Sequence, residues 1–274
     1  MSHPKAKVHR MFELLEPIAT VTYSEVANEA FMALGMRNFW DGYFAGRAAA
    51  LGLAPAEVVH AVFYNFADGE VGRHIPWVWG KITPEEAVAA RERGSVTALR
   101  RKVGTLADCA DLGRIAELAT RAAVSAPTEG RALYAGLRTL DVPQEPLAKL
   151  WHAATLLREH RGDGHNAALL AHGIGGTEAH VLLACSLGMK PEKFGRIHHL
   201  PKAQLAAVVH GLRARGLVDD TDGFTDAGRE TKEQIEALTD ELAAPAYDVL
   251  TVDELDELIA GLEPIAAAAQ TVDD

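Results

Sequence analysis

A repeat constrains this chain more than any other feature. Asp41-Gly42 opens the segment DGYFAGRAAALGLAPAEVVHAVF, and Asp163-Gly164, 122 residues later, opens DGHNAALLAHGIGGTEAHVLLAC. In both, a helix of small residues leads into a glycine-bearing turn and then an apolar helix headed by a glutamate, Glu57 or Glu178. Gly72-Arg73 and Gly195-Arg196 follow at nearly the same spacing. Arg-x-Arg-Gly closes both segments at Gly94 and Gly216, and IAEL from Ile115 answers IEAL from Ile235. Solenoid repeats run to about 20–50 residues, so a period this long marks a duplicated domain. The expectation is two related units, 1–148 and 149–274, fused into a dimer about a pseudo-two-fold axis.

Alanine and leucine dominate, only 6% of residues are aromatic and β-branched runs are short, which favours a mainly α fold. The formal net charge of −11 disfavours nucleic acid as a default partner unless a local basic surface exists. Cys109 and Cys185 lack metal or redox spacing, and the run MSHPKAKVHRMFELLEP has no apolar signal core, so a cytoplasmic protein is expected. The most apolar stretch, Asn166–Met189, carries two histidines, Glu178 and four glycines, and reads as buried helix rather than membrane span.

The second copy is the more explicit. Thr177–Leu187 has helical spacing, Pro191–Ile197 reads as a short helix, and Pro201–Arg215 as a longer one stopped by Gly216. Leu217-Val218 and Phe224-Thr225 flank an Asp222-Gly223 turn, and a long helix follows. This order is that of a winged helix-turn-helix. LPKAQLAAVVHGLRARGLVDDTDGFTDAGRETKEQIEAL resembles the recognition helix, wing and following helix of MarR-type regulators, and LTVDELDELIAGLEPI resembles their closing dimerisation helix. The whole chain is similar to the SalK-like helix-turn-helix proteins of actinobacteria, which carry two MarR-like units in one polypeptide. That resemblance implies short β wings and a small-molecule cavity between dimerisation helices and winged unit. It carries no assigned reaction.

As a DNA reader the chain departs from the pattern. Lys202, Gln204, Arg213 and Arg215 are the DNA-contact candidates of the second copy, but the equivalent helix of the first begins with Glu85 and Glu86 and adds Glu92. Carboxylates at a helix N-terminus suit the dipole and repel phosphates. The wing is acidic as well, at Asp219, Asp220 and Asp222. Two-handed DNA binding is therefore disfavoured, and DNA stays the alternative partner.

The stretch LREHRGDGHNAALLAHGIGG raises the question of a reactive site. The architectural reading ends a helix at Gly162 and caps the next with Asp163. The functional reading rests on differences between copies, since His165 and Asn166 of the second face Tyr43 and Phe44 of the first. Trp40, Tyr43, Phe44 and Arg47 would form one wall of a ligand pocket and Arg161 and Asn166 part of the other, with His160, Asp163 and His165 as acid–base candidates. The expected ligand is a small organic molecule, aromatic or anionic. The His160–His165 spacing matches no metal motif, adjacent His198-His199 would point apart, and no nucleotide fingerprint or nucleophile elbow occurs, so neither metal nor cofactor is indicated. His172, His180 and Cys185 read as packing residues. The predicted assembly is a fused dimer acting as a monomer, with no membrane contact.

Overall fold

Helices start where the sequence supplies caps. In the computed structural model, which describes residues 3–194 and 200–271, Ser24 caps the helix Glu25–Met32 by accepting the Ala27 N–H. Thr83 and Glu86 form a reciprocal capping box at Pro84–Val103, and Thr251 and Glu254 do the same at Val252–Ala269. In chain order the α-helices are α1 (Lys5–Thr20), α2 (Glu25–Met32), α3 (Phe39–Ala48), α4 (Ala56–Phe63), α5 (Pro84–Val103) and α6 (Leu112–Ser125). They continue with α7 (Ala132–Leu137), α8 (Pro146–Ala171), α9 (Gly176–Ser186), α10 (Lys202–Ala214), α11 (Asp226–Ala243) and α12 (Val252–Ala269). The fold is mainly helical, as composition suggested.

The described residues contain no β-strand. The two arms of the expected wing meet at one antiparallel bridge, Val218 with Phe224. Asp219 organises the turn between them, accepting the N–H groups of Thr221 and Gly223 and the Thr221 hydroxyl. The left-handed residue is Asp222 (φ 66°), not Gly223. Gly195-Arg196, His198-His199 and the end of the helix predicted for Pro191–Ile197 lie outside the described residues; Pro191–Lys193 is a single 3₁₀ turn.

Two compact units emerge, and each draws on separated parts of the chain. The first gathers the described residues of Met1–Ala54, Trp77–Asp163 and Asp240–Asp274. Here α1 and α6 pack on α12, while α5 runs against α2 and α3. Leu14, Phe44, Leu99, Leu118, Tyr134 and Leu150 are buried. The second unit comprises Pro55–Pro76 and Gly164–Thr239. Its core is Val181, Cys185, Leu205, Val209, Leu212, Val218 and Ile235, so α9, α10 and α11 close on one another. The Tyr64 hydroxyl donates to the Ile174 carbonyl, and the Asn166 amide to that of Val62.

One expectation is overturned outright. Gly162 does not end a helix and Asp163 does not cap one: α8 runs unbroken over 26 residues through HRGDGH. Nor does Asp41 cap α3. Asn38 does so, while Asp41 in the first turn is gripped by Arg37 through Nε (2.8 Å) and Nη2 (2.7 Å).

Small residues decide how closely α5 approaches its neighbours. A Cβ on Gly94 would lie 2.5 Å from the Ala27 carbonyl oxygen, a backbone atom that cannot move without shifting α2. Gly113, on the exposed side of α6, has nothing within 4 Å. Chemical denaturation of the two variants should therefore diverge. Gly94→Ala is expected to destabilise by about 1–3 kcal/mol through overpacking, whereas Gly113→Ala is expected to stabilise by a few tenths to about 1 kcal/mol through helix propensity.

Candidate ligand cavity and the buried charge network

Charged side chains enter the interior of the first unit from four helices. Glu159 on α8 is 1% exposed and accepts from Arg47 on α3 at 2.9 and 3.3 Å and from Arg158 at 2.9 Å. Arg158 reaches across to Glu16 on α1, at 2.8 and 3.1 Å. Burial opposes ionisation of Glu159, but the charges of Arg47 and Arg158 outweigh it and hold the carboxyl at about 2. Arg47 also donates to the Tyr43 hydroxyl at 3.1 Å, and the Tyr43 ring lies 5.1 Å from that of Tyr23.

A third arginine, Arg91 on α5, joins this region without a carboxylate of its own. It is 6% exposed, and among the described residues no hydrogen bond or ion pair ties down its guanidinium. The guanidinium lies over the Trp151 ring, 5.6 Å from its centroid. Burial pulls its pKa below the usual arginine value, partly offset by the more distant Tyr23 and Glu159.

Arg91 lines a cavity of about 520 Å³ formed by α3, α5, α7 and α8 of this unit, a volume in the range of small-molecule sites. Ala49, Ala50, Val88, Leu137, Leu140 and Leu156 supply its apolar walls. About one turn of α8 adds polar atoms: Trp151 Nε1, His152 Nε2 and Thr155 Oγ1 are buried and have no hydrogen-bond partner among the described residues. Burial, followed by the Arg91 charge, lowers His152 to about 4, so its ring is neutral at physiological pH. The exposed Glu85 and Asp141 and the half-buried Glu92 also line it. A larger open groove beside α1 and the end of α12, about 950 Å³, is different in kind. Its ions satisfy each other: Arg10 bonds Glu13 and Glu263, and Glu16 is taken by Arg158.

The residues singled out from sequence fall elsewhere. His160 and Asp163 share one face of α8 and meet Tyr134: its backbone N–H donates to Asp163 (3.0 Å) and its ring lies edge-on to His160, 5.0 Å between centroids. Arg131 donates to the His160 carbonyl and to that of Leu242. His165 lies five residues beyond His160, roughly 140° around the helix by the 3.6-residue period, and its Nδ1 pairs with the Thr239 hydroxyl at 3.0 Å in the second unit. The helix does not converge the three. Burial and Arg131 drive His160 down to about 3, and burial raises Asp163 to about 6. A histidine that protonates only near pH 3 is a poor base at neutrality. Arg161 is bound to Asp240 at 3.0 Å and lies 3.9 Å over the Phe12 ring. Phe44 is fully buried and Trp40 half-buried, packed with Tyr43 inside the first unit. No group of three or more His, Cys, Asp or Glu among the described residues is placed to hold a metal ion, and no single helix is long and apolar enough to cross a membrane.

Arg91, Trp151, His152 and Thr155 were not anticipated. One signal was available: Ala87, Ala90, Gly94, Ser95 and Ala98 define the buried face of α5, and Arg91 stands in the middle of it. An arginine on an otherwise small and apolar stripe is unusual.

In the second unit, α10 packs on α9 and is followed by the bridged turn and α11, the order of a helix-turn-helix with a rudimentary wing. A family model for a helix-turn-helix family matches residues 8–273. The chain belongs to this helix-turn-helix family. No curated protein and no solved structure matches it. On the family's expected DNA-reading helix, Lys202 and Gln204 are exposed at the start of α10. Arg213 is held by the turn after α10, donating to the Asp219 carbonyl (3.0 Å) and the Asp222 carboxylate (2.6 Å). Arg215 donates to Glu178 on α9 at 3.1 Å.

Two outcomes test these electrostatics. Glu159→Gln strands Arg47 and leaves Arg158 to Glu16 alone, and should cost about 3–5 kcal/mol in urea denaturation; a loss under 1 kcal/mol would contradict a charged core. His160, neutral in the folded chain, binds fewer protons than in the unfolded chain below its ordinary value of 6.5, so stability falls as pH drops from 6.5 toward 3. Asp163, raised to about 6 from 3.8, acts in the opposite direction between those values. Replacing His160 by Gln should therefore shrink the stability lost between pH 7 and pH 5 by up to about 2 kcal/mol, measured as the difference of differences against the unmutated chain.

Proposed function

We propose that this helix-turn-helix protein binds a small organic molecule in the cavity of its first unit, and that two-handed DNA binding has been lost. The observation that carries this reading is that buried Arg91 and, on about one turn of α8, Trp151, His152 and Thr155, whose buried polar atoms have no hydrogen-bond partner among the described residues, line one cavity. Leaving a polar group buried and unsatisfied costs roughly 1–3 kcal/mol, and a bound molecule would recover that. Acid–base chemistry through His160, Asp163 and His165 is not part of the proposal. On this reading the chain is a tandem of MarR-like units, 1–148 and 149–274, akin to the SalK-like proteins. The recurrence of α3, α4, α5, α6 as the end of α8, then α9, α10, α11, supports that descent.

The case against two-handed DNA binding rests on the engaged cations. Arg213 and Arg215 already have partners, and α5 begins with Glu85 and Glu86. The second reading, a DNA-binding regulator, is favoured by the helix-turn-helix and wing order itself. Fluorescence anisotropy with random duplex DNA separates the two. Our reading expects no binding with a log-linear salt dependence between 20 and 150 mM salt, about the range where phosphate contacts dominate; a steep slope would restore the regulator.

Ligand binding is tested with a fragment library and the variant Ala89→Trp, which places an indole at the exposed mouth of the cavity. Fragments that raise the melting temperature of the unmutated chain should lose that effect in the variant while its far-ultraviolet circular dichroism is unchanged. Hits indifferent to the substitution, or no hits at all, would remove the proposal.

A further inference from the structure

We infer that the cavity has a second entrance, a side-chain gate in which Tyr23 closes a neck between the cavity and the open groove beside α1 and α12. The inference deepens the ligand-binding reading above and takes its purpose from it, but its test needs no ligand, so the two can fail separately.

Shared residues place three spaces of the first unit in a row. Between the groove of about 950 Å³ and the cavity of about 520 Å³ lies a void of about 10 Å³. Tyr23 lines both the groove and the void, and Gly46 and Arg91 line both the void and the cavity. A void of that size holds about one water molecule and stops anything larger. The side chains around it therefore shut the passage over a single narrow stretch. The spaces on either side are each wide enough for a small organic molecule.

The walls of the neck differ in how firmly they are held. The Tyr43 hydroxyl accepts from Arg47 (3.1 Å), which donates in turn to Glu159 at 2.9 Å. Phe31 packs so closely on α3 that a Cβ on Gly46 would lie 2.5 Å from its ring. These walls are fixed. Tyr23 is not held in this way. It ends the 3₁₀ turn Val21–Tyr23 and is half-buried, with its ring 5.1 Å from that of Tyr43. Its hydroxyl makes no hydrogen bond among the described residues, although tyrosine hydroxyls usually find a partner when buried. The turn itself is anchored on both sides. Thr20 donates to the Glu16 carbonyl, and Ser24 donates to the Val21 carbonyl and accepts the Ala27 N–H. What is left to move is the Tyr23 side chain, rotating toward the groove. At the cavity end stands Arg91, likewise without a hydrogen bond or ion pair among the described residues. The two side chains of the neck that lack a fixing bond thus stand at its two ends.

Thiol labelling tests the gate. Thr155→Cys, in a chain that also carries Cys109→Ser and Cys185→Ala, puts the sole thiol on the cavity wall, and Ala89→Trp obstructs the other opening. The probe is 2-aminoethyl methanethiosulfonate, which is larger than a water molecule. In this background Tyr23→Ala, which removes the ring and leaves its space open, should speed the labelling roughly tenfold or more. Tyr23→Phe keeps the ring and should leave the rate within about twofold of the parent. A thiol introduced instead by Leu118→Cys, fully buried in the same unit and lining none of the three spaces, reports unfolding. Its rate should not change with Tyr23→Ala. A Tyr23→Ala rate within about twofold of the parent, or a rise matched at the Leu118→Cys thiol, would overturn the gate. Fragment binding without any effect of Tyr23→Ala on labelling would remove the gate and leave the ligand reading. The gated rate without any binding fragment would do the reverse.

Discussion

A carboxylate as buried as that of Glu159 can exist in a helical core only if cations are brought to it. The pairing with Arg47 and Arg158 does this, and it also sets the geometry of the first unit. Arg158 and Glu159 are adjacent on α8, so satisfying both requires α3 on one side and α1, through Glu16, on the other. Buried ion pairs contribute little net stability compared with apolar packing, but breaking one leaves a stranded charge. Their effect here is to fix the rotation of α8. That rotation turns Trp151, His152 and Thr155, one to two turns earlier, toward α5 and the cavity. The cavity is a consequence of where the ion pairs hold the helix.

The same constraint explains why HRGDGH is helical where its local sequence predicts a break. Two glycines within three residues weaken a helix by roughly 1 kcal/mol each, and Asp163 has the composition of an N-cap. Local preference alone favours a stop. Tertiary contacts override it: the Asp163 carboxylate accepts the Tyr134 N–H, Arg131 holds the His160 carbonyl, and Arg161 is clamped by Asp240. None of these partners is near in sequence, so none was visible there. Signals that act within a few residues were legible, including the helix starting beside Pro201, the turn at Asp222-Gly223, the long helix after it and the helical class itself. Arg91 was partly legible. Glu85 and Glu86 dominate the charge at the start of α5, and Arg91 stands out only against the small, apolar stripe around it.

Those acids also carry a lesson about charge arguments. Glu86 closes a capping box with Thr83, and Asp219 holds the wing turn through three hydrogen bonds. Each has a local structural role sufficient to account for it, so an acidic residue there is weak evidence about DNA. The stronger evidence is on the cationic side. Arg213 and Arg215 would have to abandon Asp222 and Glu178 before meeting a phosphate, and the exposed face of α10 is otherwise Ala203, Gln204, Ala206 and His210 beside Lys202. A helix-turn-helix scaffold supplies a shape, and the side chains on it decide the activity.

A cavity lined by a buried arginine and by three buried polar atoms without a protein partner among the described residues is a costly thing for a protein of ordinary marginal stability to keep. Filling it with aliphatic residues would be the simpler sequence solution, since replacing buried polar groups by well-packed apolar ones is often neutral or stabilising. Other stretches of the same helices show that the chain is capable of it: Ala87, Ala90, Gly94, Ala98 and Leu99 on α5 and Leu147, Leu150, Ala153, Ala154 and Leu156 on α8 are buried. Buried polar atoms without a partner among the described residues also occur elsewhere, at Ser95 and His160 for example, but only at Trp151, His152 and Thr155 do three of them gather on about one turn of a helix that lines a cavity. That local gathering is what binding a polar guest would leave, at the expense of stability without it.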